Sequence, residues 1–314
     1  IQGIEQGSSQ RLKRGVHISN VYTPERMIEA YSAYIAKLKD NRFLTGIDRI
    51  DKIIRGVAGG EILTIIARPG AFKTATLQNM MGRYVKESSM AAVMFEIEMP
   101  VSSMTERQMQ ISSGFRGHEI EAIFSHPDEA ELRDRIEREF IEETQRLFVI
   151  PTKVGLDDIP RYVNLIEQNF RVKVGLMGVD YVQLMDETGS GAYERITKLA
   201  TGFKVTAKLL DIPGILLSQT SRKGGDAEME ITLDMGRDSG AIEEAADVLL
   251  GLWWNKATDA MEGGELICKI LKARKGKRNL SFVLDIDPET LQLKPNCYPW
   301  EPPKGNKRVK GLEA

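Results

Sequence analysis

Residues 62–74 constrain the fold of this chain more than any other stretch. Aliphatic and β-branched residues run from Ile62 to Ala67, a Pro-Gly pair follows, and Lys73-Thr74 opens an amphipathic segment. This order of residues is typical of a buried strand, a tight loop and a helix N-terminus. The amides of such a loop and the positive end of its helix bind phosphate oxygens. The stretch therefore predicts a phosphate-binding loop.

The predicted loop assigns chemistry to single residues. Lys73 would supply a positive charge for the β- and γ-phosphates of a nucleotide, and the Thr74 hydroxyl would bind Mg²⁺. Two positions depart from the usual Gly, four residues, Gly, Lys pattern, because Ala67 and Phe72 stand where glycines are expected. A plain strand–turn–helix with a chance Lys-Thr pair is the alternative for this stretch alone. The predicted nucleotide-binding residues are Arg68, Pro69, Gly70, Ala71, Phe72, Lys73, Thr74 and Ala75.

The composition is that of a globular protein without a zinc pattern, a disulfide framework or an apolar run of membrane-spanning length. The 314 residues are 42% hydrophobic and 28% charged, which suits one large domain with an appendage. The formal net charge of −2 gives no global sign of nucleic-acid binding, so any such binding has to be local. Cys268 and Cys297 predict a reducing, cytoplasmic setting. Because the chain begins with Ile rather than Met, an upstream domain can be missing from it.

Strands alternate with helices along most of the chain, which predicts an α/β fold with a mostly parallel sheet and helices on both faces. Strands at 248–254, 265–271 and 280–285 are expected to add to that sheet as antiparallel neighbours. An amphipathic helix near 24–39 packs either on its own domain or on a neighbouring subunit. The predicted organisation is a flexible arm at 1–22, a linker helix at 23–42, the α/β domain at 43–294 and a loose tail at 295–314.

Polar residues stand at the carboxyl ends of three predicted strands, where α/β proteins bind ligands. Glu98 closes the second predicted strand, at 91–99, Asp180 closes the run at 174–179, and Gln219 follows the run at 214–218. In a nucleotide hydrolase they would be a water-activating carboxylate, a metal-organising carboxylate and a sensor of the γ-phosphate. Singly, each also fits a helix cap or a solvated turn. Their order behind a Lys-Thr loop favours the nucleotide site.

Six ordered motifs resemble those of the DnaB-type replicative helicases. Asp180-Tyr-Val-Gln-Leu-Met is very similar to that family's Asp-Tyr-Leu-Gln-Leu-Met signature, and Glu96-Ile-Glu-Met resembles its Ser-Leu-Glu-Met. The other four motifs lie at 67–69, 217–222, 234–247 and 272–276. The family's loop also tends to lack the first glycine, so Phe72 is the departure that stands out. The similarity covers about residues 43–290 and implies the RecA-like fold of the family's C-terminal motor domain.

The resemblance also implies roles for the strand-end residues and for a basic run. Glu98 would be the general base, Asp180 would hold the metal, and Gln219 would be the sensor. Arg274, with Lys272 beside it, would reach the nucleotide of a neighbouring subunit as an arginine finger. A solvated hairpin is the alternative for this basic run.

The family's central-channel loop corresponds here to Arg237, Asp238 and Gly240, which would contact the phosphate backbone of single-stranded DNA. A second loop, 186–193, carries two acids and no basic residue, so DNA binding is expected to be weaker or differently placed than in the family.

Taken together, the resemblance implies a hexameric ring that uses ATP and Mg²⁺ to move on single-stranded DNA. Primase or a helicase loader would be partners, and no membrane is implied. The family's upstream primase-binding helical domain is expected to be absent from this sequence, either by truncation or by design. Two alternatives stay open. One is a ring or filament protein with weak or no ATP turnover that serves as an assembly or loading platform, which Phe72 motivates. The other is a recombinase-like DNA-dependent ATPase.

Overall fold

The chain divides into two compact units, Ile1–Arg42 and Phe43–Ala314. The computed structural model describes residues 21–187, 191–220, 230–232, 239–255 and 264–302. In the first unit, helix α1 (Pro24–Asp40) is present where the sequence predicts it. It begins as expected, because the Thr23 hydroxyl accepts a hydrogen bond from the Arg26 N–H at 3.4 Å and proline occupies the first turn.

The second unit alternates strands with helices along the chain. Strand β1 (Arg42–Phe43) begins at the last residue of the first unit. The strands of the second unit include β2 (Val57–Ala58), β3 (Ile62–Ala67), β4 (Ala91–Glu96), β5 (Leu147–Ile150), β6 (Val174–Asp180), β7 (Gly214–Gln219), β8 (Val248–Asn255), β9 (Glu265–Ala273), β10 (Leu280–Ile286) and β11 (Leu293–Pro299). Its helices include α2 (Asp48–Ile54), α3 (Lys73–Glu87), α4 (Val101–Ser113), α5 (Gly117–Ser125), α6 (Ala130–Thr144), α7 (Asp158–Phe170), α8 (Ala192–Leu210) and α9 (Ser239–Ala245).

The main sheet has nine strands among the described residues, in the order β11-β10-β9-β8-β3-β7-β6-β4-β5. The six strands from β8 to β5 are parallel, and β9, β10 and β11 join them as antiparallel neighbours. This confirms the predicted mixed sheet. One expectation was wrong, since residues 248–254 belong to β8, which pairs parallel with β3. Helix α9, between β7 and β8, lies in the crossover that a parallel strand requires.

Strand β11 extends into the range predicted as a loose tail. Leu293–Pro299 pairs with β10, and Cys297 on this strand is only 4% exposed. The proline and lysine of this segment are typical of a loop, so the composition did not predict a strand. Proline is tolerated here because β11 lies at the edge of the sheet.

The core lies on both faces of the sheet because side chains alternate along β3. Leu63 packs with Leu77 of α3 on one face, and Ile62 packs with Phe203 of α8 on the other. Helices α4, α5 and α6, which lie between β4 and β5 along the chain, surround a separate small core. Within the described ranges, no helix is both long enough and apolar enough to cross a bilayer.

Candidate functional site

The loop between β3 and α3 forms where the sequence predicts it. All six residues of β3 are buried, and the chain then passes through Gly70, whose φ is 80°. A side chain is strained at that angle, so glycine is the residue that suits this turn. Helix α3 begins at Lys73, which places the last loop residues at the positive end of the helix dipole.

Phe72, the departure from the usual pattern, adopts the left-handed conformation that glycine favours. Its φ and ψ are 53° and 26°, at the position that precedes α3. Such a conformation costs a non-glycine residue on the order of 1–2 kcal/mol. The ring is half-buried and packs on Trp254 of β8, with 5.1 Å between ring centroids. The aromatic contact therefore offsets part of that cost and holds the side chain on β8.

Lys73 is the centre of the ionic contacts at the site. Its ammonium lies 2.9 Å from Oδ1 of Asp180, also forms an ion pair with Oε2 of Glu98, and sits 4.5 Å from the Tyr181 ring centroid. Burial alone would lower the pKa of Lys73, but the Asp180 charge and the hydrogen bonds with both carboxylates outweigh it and raise that pKa. The side chain thus stays a cation at the loop.

Asp180 lies at the end of β6 and is fully buried. Its Oδ2 accepts a hydrogen bond from the Thr74 hydroxyl at 2.5 Å, while Oδ1 faces Lys73. The two oxygen atoms predicted to hold Mg²⁺, from Thr74 and Asp180, are therefore adjacent.

Glu98 was expected to close the second strand, but β4 ends at Glu96 and Glu98 lies in the turn before α4, with 38% of its side chain exposed. The turn is held by Glu96, whose Oε1 accepts hydrogen bonds from the N–H groups of Glu98 and Met99 at 3.0 and 2.9 Å. Burial, followed by the nearby Asp180 charge, raises the pKa of Glu96 to about 7. No role for Glu96 was predicted, although an acid at the end of a buried strand is a signal that can indicate a functional residue.

Gln219 ends β7 and lies level with Ala67, the last residue of β3. Its main chain is held by the side chain of Gln183, which donates to the Gln219 carbonyl at 3.0 Å and accepts from the Gln219 N–H at 3.3 Å. Gln183 also donates to the Ser218 hydroxyl at 3.0 Å. Gln183 belongs to the 180–185 signature, but its contact across to β7 could not be read from the sequence.

Arg274 and Lys272 lie at the other end of the sheet. Ala273 is level with Val248 and so with Leu63, at the start of β3, ~13 Å along the strand from the loop that follows Ala67. The structure therefore does not bring either basic residue to the loop of its own chain. Lys272 donates to the Glu243 carbonyl at 2.5 Å, and burial, then the Arg274 charge, lower the pKa of Lys272.

Arg274 is held by Asp247, a buried residue that sequence analysis quoted in a motif without giving it a role. Arg274 Nη1 lies 3.1 Å from Asp247 Oδ1, and the arginine side chain is still 57% exposed. Asp247 also accepts from the Ile62 N–H at 2.8 Å and from the Lys204 ammonium. Asp247 thereby ties Arg274 to the start of β3, the strand that leads to the loop.

Of the predicted DNA-binding residues, the structure describes Gly240, an exposed residue in the first turn of α9. Arg237 and Asp238 lie outside the described residues, as do 188–190 of the second predicted channel loop.

The chain is similar to known proteins both in sequence and in fold. The sequence matches the family described as DnaB-like helicase C terminal domain over residues 43–287. The replicative DNA helicase DnaB of Helicobacter pylori is 26% identical over 258 residues, which cover 80% of this chain and 52% of that protein. The replicative DNA helicase DnaB of Pasteurella multocida is 25% identical over 250 residues, 74% of this chain and 51% of that protein. This chain spans about half the length of these curated relatives.

Two solved structures share the fold. One is described as a DnaB-like replicative helicase and its interactions with primase; its TM-score is 0.74 at 18% identity, covering 94% of this chain and 72% of that one. The other, an ATPase domain, has a TM-score of 0.72 at 19% identity, covering 89% of this chain and 99% of that one. The resemblance seen in the motifs is thus confirmed by a family match over most of the sequence. This chain belongs to the DnaB-like helicase C-terminal domain family.

Proposed function

We propose that this chain is the motor of a replicative DNA helicase, which hydrolyses ATP while it moves on single-stranded DNA. The observation that carries the proposal is that Lys73 forms ion pairs with both Glu98 and Asp180 next to the loop. These residues follow or close β3, β4 and β6 at their carboxyl ends. A cation for the phosphates, a base for water and a ligand for the metal are what phosphoryl transfer to water requires. The family match and the names of the relatives support this reading.

The oxygens of Thr74 and Asp180 fit Mg²⁺. This ion prefers oxygen ligands, and in nucleotide sites it takes one or two from the protein and the rest from water and phosphate. Bound there, Mg²⁺ would neutralise charge on the β- and γ-phosphate oxygens. In the described part of the chain, no group of three His, Cys, Asp or Glu side chains could hold a metal ion by itself, and Mg²⁺ in a nucleotide site does not require one.

Glu98 would act as the general base once its present partner is engaged elsewhere. In the structure Glu98 is paired with the Lys73 ammonium. Phosphate oxygens of ATP would compete for that ammonium, since they are anions held against the same loop. The Glu98 carboxylate would then be available to accept a proton from the attacking water, within the hydrogen-bond reach that a base requires.

Arg274 would act on the nucleotide of a second copy of the chain. It lies at the opposite end of the sheet from its own loop, and its guanidinium is more than half exposed. An arginine supplied in trans to the transferring phosphoryl group typically raises the rate by about 10³–10⁵. This role requires a homo-oligomer, which we propose is a hexameric ring, and Lys272 would support Arg274 from the neighbouring position.

Single-stranded DNA is the proposed track, with Arg237, Asp238 and Gly240 facing its phosphate backbone. Gly240 is exposed, as a contact with a backbone requires. Primase or a helicase loader are proposed as further partners, because one structural neighbour is described with its primase interactions. A cytoplasmic setting, where replication enzymes meet their template, belongs to the same proposal.

The alternatives differ in turnover and in product. A platform without turnover was suggested by Phe72, but the left-handed Phe72 backbone and the packing of its ring on Trp254 do not favour it. A recombinase-like ATPase would show strand exchange rather than unwinding.

Phosphate release with and without single-stranded DNA tests the proposal. Wild-type protein is expected to release phosphate from ATP, faster with DNA, while Lys73→Ala reduces turnover at least about 100-fold, since it removes the charge on the phosphates. Wild-type turnover no higher than that of Lys73→Ala would contradict it. Sizing the protein with and without ATP is the companion measurement, and a persistent monomer would rule out the role in trans of Arg274.

A further inference from the structure

The turn that carries Glu98 is attached to the sheet by backbone hydrogen bonds and by the packing of Ile97 and Met99 on the core. Ile97 donates its N–H to the Asp180 carbonyl at 3.0 Å, which continues the pairing of β4 with β6 by one residue. The next two amides, those of Glu98 and Met99, point to the carboxylate of Glu96. With 38% of its side chain exposed, Glu98 is not positioned by burial, so its position depends on the backbone of this turn and on the ion pair with Lys73.

Glu96 is well placed to hold that backbone. It is the last residue of β4, is 0% exposed, and lies level with Asp180 in the neighbouring strand. One of its oxygens, Oε1, serves both amides, as short polar side chains do when they close a turn on the residues two and three ahead. Within the described residues its second oxygen, Oε2, is buried and has no hydrogen-bond partner.

We propose that Glu96 is a positioning residue for the reaction, which holds the Glu98 turn so that the Glu98 carboxylate faces Lys73 and the phosphates. The inference rests on the proposed role of Glu98 as the base. A base that is displaced by about 1 Å can lose on the order of 100-fold in rate, so the two hydrogen bonds have a kinetic consequence. Glu96 does not touch the reacting atoms in this proposal and acts through Glu98.

The hydrogen bonds need an acceptor oxygen rather than a negative charge. The carbonyl oxygen of a neutral acid or of an amide accepts from a backbone N–H as a carboxylate oxygen does. Glu96→Gln therefore keeps both bonds, whereas Glu96→Ala leaves the two amides without this acceptor. Glu96→Ser offers a shorter hydroxyl that can reach the nearer amide, and an intermediate effect is expected.

Steady-state kinetics separate positioning from nucleotide binding. Glu96→Ala is expected to lower kcat for ATP hydrolysis at least about tenfold while KM for ATP stays within about threefold, because the loop itself is intact. Glu96→Gln is expected to restore most of the rate. Glu121→Ala, at an exposed acid of α5, is the matched control and should behave as wild type. A Glu96→Ala protein with unchanged kcat, or with the whole loss in KM, would overturn the inference.

A double-mutant cycle tests whether the effect passes through Glu98. Once Glu98→Gln has removed the base, adding Glu96→Ala should have little further effect on the rate, because the group being positioned is gone. Losses that simply multiply would show that Glu96 acts by another route and would overturn the inference.

Hydrogen exchange provides a readout that does not depend on turnover. The amides of Glu98 and Met99 should exchange faster in Glu96→Ala than in wild type, Glu96→Gln or the Glu121→Ala control. If wild-type protein has no ATPase activity but this exchange pattern holds, the proposed function fails and the turn contact stands. Equal exchange in wild type and Glu96→Ala would refute the contact itself.

Discussion

Phe72 has a large ring and a left-handed backbone conformation. The backbone strain destabilises the fold, whereas the packing of the ring stabilises it. Replacing it with glycine would relieve on the order of 1 kcal/mol of backbone strain but lose the packing on Trp254, which is worth a similar amount. Replacing it with alanine would lose the packing and keep the strain. The loop amides keep their geometry in the glycine variant, since that conformation is the one glycine prefers.

We therefore expect the free energy of unfolding of Phe72→Gly to lie within about 1 kcal/mol of the wild-type value, and its affinity for ATP within about threefold. For Phe72→Ala, the free energy of unfolding should fall by about 1–2 kcal/mol. Urea unfolding and nucleotide titration of the two variants measure this. Equal stability of Phe72→Ala and wild type would show that the Trp254 contact contributes nothing. A large gain in ATP affinity for Phe72→Gly would show that the ring obstructs the phosphates.

Glu96 makes the stability of the protein depend on pH. Burial raises its pKa in the folded state from 4.5 to about 7, so between these values the folded protein holds a proton that the unfolded chain has released. Its stabilising contribution is thus complete below pH 4.5 and is lost as the pH rises through 7. Glu96→Gln cannot release a proton and lacks this dependence.

The free energy of unfolding of wild type should accordingly fall relative to that of Glu96→Gln between pH 5 and pH 8. Denaturant unfolding of both proteins at the two pH values measures the difference, and other titrating groups cancel in the comparison. A difference between the proteins that is the same at both pH values would contradict the raised pKa.

At the scale of elements, the pairing of β6 with β7 ends at Val179 and Leu216. Beyond that pair, the Gln183 side chain forms hydrogen bonds with the end of β7. Gln183→Ala should therefore free Gln219 and lower kcat about tenfold, with ATP affinity nearly unchanged. Gln183→Glu keeps the acceptor but loses the donor, so a smaller loss is expected. Gln168→Ala, at an exposed glutamine of α7, is the control for both ATPase assays. Gln183→Ala with wild-type kcat would refute the link.

Elements with a strong local pattern were predicted well. Strands β3, β4, β6 and β7 are continuous apolar runs followed by polar residues, so the sequence was sufficient to place Lys73, Asp180 and Glu98 near one another. The direction of β8 was missed although its nearly unbroken apolar run, Val248–Trp254, is typical of a strand buried within a parallel sheet. Contacts such as that of Gln183 with β7 depend on which residues of neighbouring strands lie close together, and that arrangement is a property of the folded sheet.

At the scale of the whole molecule, the two halves of the proposed active site lie at opposite ends of the sheet. Lys73, Glu98 and Asp180 gather behind the loop, whereas Arg274 is held by Asp247 at the start of β3. A single chain therefore gathers only one part of the proposed site at its loop, and the Arg274 of a second copy would supply the other part. From the sequence, a role of Arg274 in a second copy could be predicted only through the family resemblance. The distance between Arg274 and its own loop is known only once the strands are paired.

Mixing two inactive variants tests this shared site most directly. Lys73→Ala lacks the loop charge but keeps Arg274, and Arg274→Ala keeps the loop but lacks the finger. Each alone should release phosphate from ATP far more slowly than wild type, with single-stranded DNA present. Co-assembled in one ring, the intact loop of one variant meets the intact Arg274 of the other, so phosphate release should rise above that of either variant alone. A mixture no faster than the better variant, while both still assemble, would contradict the account.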